Sequence, residues 1–162
     1  MDYYQGVVIE YLRANRARFV NTECLIQLEA GDNPDRGTHW YCDAVTIDLR
    51  ESAVFLCEIS YSQTLSSLIK RLDAWRNHWD EIRAALVRDC AIEATWPVQP
   101  WIFVPSARKD VLERRLPVIG SGLPSAMPMP KVTYLEDVAP WNYRSWSGKE
   151  YAAAEKVMLR SA

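Results

Sequence analysis

The sequence holds only two histidines, His39 and His78, and only six glycines among its 162 residues. Neither histidine stands in a metal-binding spacing such as H-E-x-x-H, so histidine-based nuclease centres and Ser-His-Asp hydrolysis find little material here. The scattered glycines supply neither a P-loop nor a dinucleotide fingerprint. The four cysteines, Cys24, Cys42, Cys57 and Cys90, include no C-x-x-C pair. Three of them lie in strand-like apolar sequence, where a free thiol behaves as a small hydrophobe, and reduced core thiols are expected rather than disulfides or zinc. No apolar run approaches the roughly 18 residues of a membrane span, and the opening MDYYQG has no basic region followed by an apolar one. These absences lead us to expect a cytoplasmic chain with no membrane segment. The net charge of −2 gives no global attraction to nucleic acid. Basic residues gather only locally, at Arg13, Arg16 and Arg18, at Lys70 and Arg71, at Arg108 and Lys109, and at Arg114 and Arg115.

What remains is carboxylate chemistry on an ordinary globular composition. A chain of 162 residues suits one domain with a sizeable core. We expect that core over about residues 3–135 and a further C-terminal helix over about 148–160. From Tyr3 to about Arg18 the apolar positions Tyr4, Val7, Val8, Tyr11 and Leu12 recur at helical spacing. Glu10 lies at the edge of that stripe. Residues 24–28 read as a strand, and Gly31 to Gly37 is turn sequence throughout. A single long helix is expected from Ser62 to about Arg88, with Leu65, Leu68, Leu72, Trp75, Trp79, Ile82 and Leu86 on one stripe. Its two tryptophans read as core. Short strands follow at 101–104 and 131–135, with a helix between them capped by Ser106. At the far end, Ser147 with Glu150 gives a capping-box signature.

The stretch from Tyr41 to Ser60, YCDAVTIDLRESAVFLCEIS, reads as two strands joined by a tight turn. If Leu49 and Ser52 pair across that turn, paired numbers sum to 101 and Asp43 faces Glu58. Directly paired residues share a face with Cβ atoms roughly 4.5–5.5 Å apart. Two carboxylates that close repel unless a proton or cation sits between them. A hard divalent ion such as Mg²⁺ is often held by just one or two carboxylates. The elements together predict a mixed central β-sheet with helices on its faces, an α/β fold.

Strand order and acid placement resemble the PD-(D/E)XK nuclease superfamily, the restriction-endonuclease-like fold, over about residues 3–104. The resemblance rests on Glu10 in the first helix, Asp43 at the start of the second core strand, and CEIS with Glu58 near the end of the third. It implies a Mg²⁺- or Mn²⁺-dependent phosphodiesterase acting on DNA. In that reading Asp43 and Glu58 bind metal with the Ile59 main-chain carbonyl, and Glu10 supports a metal water. Ser60 stands where the family has its lysine, and Cys42 where it often has proline. Ser60, or Lys70 from the following helix, would align the nucleophile, with Gln63 and His39 as further polar candidates. The missing lysine also fits a second reading, a domain of the same fold that has lost catalysis and binds a protein or nucleic-acid partner. Family nucleases often form homodimers, which the resemblance extends to this chain as a possibility.

Overall fold

A computed structural model describes residues 2–31, 33, 36–120 and 127–140, with residues 118–120 as backbone. The chain runs α1 (Tyr3–Ala14), β1 (Arg18–Gln27), β2 (His39–Asp48), β3 (Ala53–Ile59), α2 (Ser66–Asn77), α3 (Trp79–Cys90), β4 (Val98–Val104), α4 (Lys109–Gly120) and β5 (Lys131–Tyr134). Short 3-10 turns occupy Ser106–Arg108 and Leu135–Val138. The expected C-terminal helix over 148–160 lies outside the described residues.

One five-stranded sheet, in the order β1-β2-β3-β4-β5, organises the molecule. The first three strands form an antiparallel meander, and β4 and β5 add in parallel. The fold is therefore mixed α/β, as the pattern of elements predicted. Helix α1 covers one face through Val8, Ile9 and Leu12, packed on Phe55, Trp101 and Phe103. Helices α2, α3 and α4 cover the other, with Leu68, Leu72, Trp75, Ile82, Leu86 and Leu112 on Val45, Leu56 and Ile102. β3 is buried along almost its whole length because both faces are covered, which is why its sequence is a continuous apolar run.

Three differences from the sequence reading have physical causes. First, α1 stops at Ala14, and β1 begins at Arg18 rather than near residue 24. Its early residues pair with the far end of β2 from Arg18–Asp48 onward, a long-range pairing that local turn chemistry at Asn21-Thr22 did not reveal. Secondly, the single helix expected over 62–88 is two helices that break at His78. The His78 N–H donates to the Trp75 carbonyl at 3.1 Å, a tightened last turn that ends α2. Both tryptophans are in the core, as expected, and the break lets α3 turn to pack on β1. Thirdly, the hairpin turn takes four residues, 49–52, because the ladder stops at Asp48–Ala53. The Asp48 carboxylate accepts the Arg50 and Glu51 N–H groups at 3.0 and 3.1 Å, giving those turn donors a partner.

All four cysteines are free. Burial pushes the Cys57 thiol up to about 12 and the Cys42 thiol well above its usual range. Cys90, half-buried at the end of α3, is held below the usual thiol range by a hydrogen bond from the Cys24 thiol. Alkylation of the folded chain at pH 7.5 should therefore reach Cys90 first, and reach Cys42 and Cys57 only at the rate of unfolding. Mass spectrometry of a timed iodoacetamide reaction reads the order directly. Early labelling of Cys57 would contradict it.

Candidate functional site

Helix α1 opens with a reciprocal cap. The Asp2 carboxylate accepts the Gln5 N–H at 2.8 Å, and the Gln5 side-chain oxygen accepts the Asp2 N–H at 3.0 Å. With its oxygen fixed, Gln5 presents its amide nitrogen to the sheet, where Nε2 donates to Asp43 Oδ1 at 2.7 Å. Of the stripe read from the sequence, Val8 and Leu12 are buried and Tyr4 is exposed, while Ile9, outside that stripe, is buried. A turn towards Ile9 of roughly one residue step, about 100°, swings Gln5 inward and Glu10 outward.

Asp43 sits where the β2–β3 ladder gives out. Pairs from Asp48–Ala53 to Ala44–Cys57 keep a constant sum of 101, the register expected from the sequence, and Asp43 falls opposite Glu58 by continuation. The next backbone rung would join Cys42 to Ile59. Instead the Ile59 N–H donates to Asp43 Oδ2 at 2.8 Å. A strand residue points its N–H and C=O to the same side, so the Ile59 carbonyl also faces the notch where the strands part.

Glu58 receives its partner from the other face of the sheet. Arg71 on α2 places Nη1 at 2.9 Å from Glu58 Oε1 and at 2.6 Å from the Tyr41 carbonyl. The Glu58 side chain is 9% exposed and that of Arg71 31%. Burial, and next the charge of Asp43, push the Glu58 carboxyl up to about 7 against the opposing pull of Arg71. Burial likewise raises Asp43, although the bonds from Ile59 and Gln5 resist the rise. The charge of Asp43 is thus close enough to raise Glu58, at a site where a cation would offset the negative charge.

No protein-family model, no curated protein and no solved structure matches this chain. The site has to be read from its own geometry.

Of the residues singled out from the sequence, Asp43, Glu58 and the Ile59 main chain come together. Ser60 follows directly, half-buried, its N–H on the Phe103 carbonyl at 3.0 Å, one step past the end of β3. Glu10 does not join them. It is exposed and paired with Arg13 at 3.5 Å, beside the cleft between α1 and the 3-10 turn at Leu135–Val138. Lys70 is also exposed, because Leu68, Leu72 and Trp75 define the buried stripe of α2 and leave it on the outer side. Its neighbour Arg71 flanks that stripe and reaches the acid. His39 turns back to the Gly37 carbonyl at 3.2 Å. Gln63 lines a small cleft with Thr64, Arg114 and Arg115.

Sequence reasoning missed Gln5 and Arg71. A signal for Gln5 was present, since Asp2 followed three residues later by glutamine is a capping pair. For Arg71 the signal was its place directly before Leu72 in the buried stripe. Among the described residues no three His, Cys, Asp or Glu side chains converge on one point. A resident ion would therefore take two carboxylates, the Ile59 carbonyl and water, a donor set of oxygens that suits Mg²⁺ or Mn²⁺ rather than zinc.

Proposed function

We propose that the notch between Asp43 and Glu58 is the divalent-metal centre of a phosphodiesterase acting on nucleic acid, DNA being the substrate class that the family resemblance suggests. The observation that carries this reading is a buried carboxyl, Glu58, raised by burial and by the charge of the half-buried Asp43 at the open end of the hairpin. Burial of the Glu58 charge carries a cost that a neutral residue there would avoid. Asp43 and Glu58 would hold Mg²⁺ or Mn²⁺, with the Ile59 carbonyl as a further donor. A bound divalent ion supplies positive charge that offsets the negative charge gathering on a phosphate during displacement. Gln5 orients Asp43 by holding Oδ1, and the Ile59 N–H holds Oδ2. Ser60, at the rim, offers a hydroxyl that can hydrogen-bond a water but carries no charge. Arg71 brings to the site the positive charge that Ser60 lacks. The cleft lined by Arg114 and Arg115 offers cationic surface to a phosphate backbone.

A second reading is favoured by one observation: Arg71 already neutralises Glu58, so the acids persist without metal. On that reading the domain has lost catalysis and binds a protein or nucleic-acid partner, or a second copy of itself. In either case we place it in the cytoplasm, where buried thiols such as Cys42 and Cys57 stay reduced. The structure itself establishes the coarser point that no helix among the described residues is long and apolar enough to cross a membrane.

Calorimetric titration of MnCl₂ and MgCl₂ into the full chain separates the two readings. The metal reading expects binding that is abolished in the Asp43→Ala/Glu58→Ala double variant, followed by metal-dependent cleavage of a labelled DNA duplex or single strand. Binding that survives in the double variant would place the metal elsewhere and overturn the assignment.

A further inference from the structure

Arg71 is attached to the acid pair in an unusual way for an arginine. Both of its contacts, to Glu58 Oε1 and to the Tyr41 carbonyl, run through the single nitrogen Nη1. A guanidinium paired for stability grips a carboxylate with two parallel N–H groups, and its fork fits phosphate in the same manner. Here Nε and Nη2 make no hydrogen bond among the described residues. The side chain is about one-third exposed, so it has a route outward.

The charges of the notch point the same way. Two carboxylates and one guanidinium leave a single net negative charge, which still attracts a cation. A divalent ion would turn that into a single net positive charge, with metal and guanidinium crowded on Glu58. Two cations sharing one carboxylate repel strongly where water is largely excluded. An anion arriving with the metal resolves the excess, and the fork matches a phosphate, the anion of the proposed substrate.

We propose that Arg71 is a resident counter-cation, displaced from Glu58 when a divalent metal binds and then engaged by a phosphate oxygen of the substrate. This rests on the metal reading above. Arg71 is then a positioning residue with two stations: one on Glu58 in the free chain, the other on substrate. The Tyr41 carbonyl, held by the same nitrogen, is the pivot between them.

The test is metal affinity, measured without substrate. Calorimetry with MnCl₂ at pH 7.5 should give at least tenfold tighter binding for Arg71→Met than for the wild type, with Arg71→Lys close to the wild type. Equal affinity in Arg71→Met and wild type would overturn the displacement and leave the metal centre standing. Absence of binding in both would overturn the two together. Should Arg71→Met fail to fold, the wild-type chain alone decides. Its Arg71 guanidinium N–H signals in nitrogen-edited NMR should lose their protection from exchange on Mg²⁺ saturation. Signals unchanged at saturation overturn the proposal.

Discussion

The Glu58→Gln chain is expected at pH 8 to be more stable than the wild type and, on the proposed metal reading, to lose metal binding. A carboxyl raised to about 7 in the folded state, against an ordinary value of 4.5, binds its proton more tightly when folded. Between those limits the folded chain holds more protons than the unfolded one, so stability falls as pH rises. Above pH 7 the folded chain carries the full cost of the Glu58 charge, about 3 kcal/mol in size. That figure already includes the attraction of Arg71. A glutamine of the same shape removes the charge and keeps an oxygen for Arg71 Nη1. Urea melts at pH 5 and pH 8 should show the wild type losing stability between them, and Glu58→Gln losing much less. If the substitution weakens the fold equally at both values, Glu58 is a structural ion-pair partner and the functional reading of its raised carboxyl fails.

Asp48→Ala is expected to lower stability by about 3–5 kcal/mol, because it strands the Arg18 guanidinium. Asp48 is 1% exposed and its Oδ2 accepts Arg18 Nε at 2.8 Å, with the Arg18 side chain 11% exposed. Its other oxygen holds the turn through Arg50 and Glu51. Removal therefore leaves a buried charge unpaired and two turn amides without their acceptor. Burial alone would raise the Asp48 carboxyl, but the bonds from Arg18, Glu51 and Arg50 outweigh it and hold the group below its usual value. A depressed carboxyl contributes stability that is present above the unfolded value of about 3.9 and is lost as pH falls through the folded one. Asp48 and Glu58 thus act in opposite senses and in different windows. Acidification from pH 8 should first strengthen the fold and, below about pH 4, weaken it. Denaturant midpoints across that range check the sequence of events, and Asp48→Ala should lack the acid limb. Asp48→Asn, which keeps an oxygen for the amides, should fall between the two. A loss under 1 kcal/mol for Asp48→Ala would mean that Arg18 finds water or another partner.

How far the sequence carries depends on whether a feature is local. The hairpin register was legible because it follows from a turn and two apolar runs, and the observed pairs keep it as far as Ala44–Cys57. The mixed sheet was legible from the order of elements. Burial of Trp75 and Trp79 could be read from their spacing, but the break between them at His78 could not. That break is set by where α3 meets β1, a contact between parts of the chain some sixty residues apart, such as Arg88 Nη2 on the Gln27 carbonyl at 2.7 Å. The wrong choice of Glu10 has the same origin. A helix with apolar residues at Tyr4, Val7, Val8, Ile9, Tyr11 and Leu12 offers a broad stripe, and the sheet decides which side of it is used. Rotation of α1 towards Ile9 replaced an acid with the amide of Gln5. In α2 the choice between Lys70 and Arg71 was likewise a question of one helical step.

The fork of the hairpin makes positions 43 and 58 unequal. At its open end, the last link between β2 and β3 is the Asp43 carboxylate on the Ile59 N–H, not a backbone carbonyl. Backbone links are indifferent to mutation, whereas this one is written in a single codon. Removing the carboxylate at residue 43 removes that link and its charge at once. A change at residue 58 alters the charge and releases Arg71. One acid therefore ties strand to strand and the other ties sheet to helix, so substitutions at the two positions should loosen different parts of the fold.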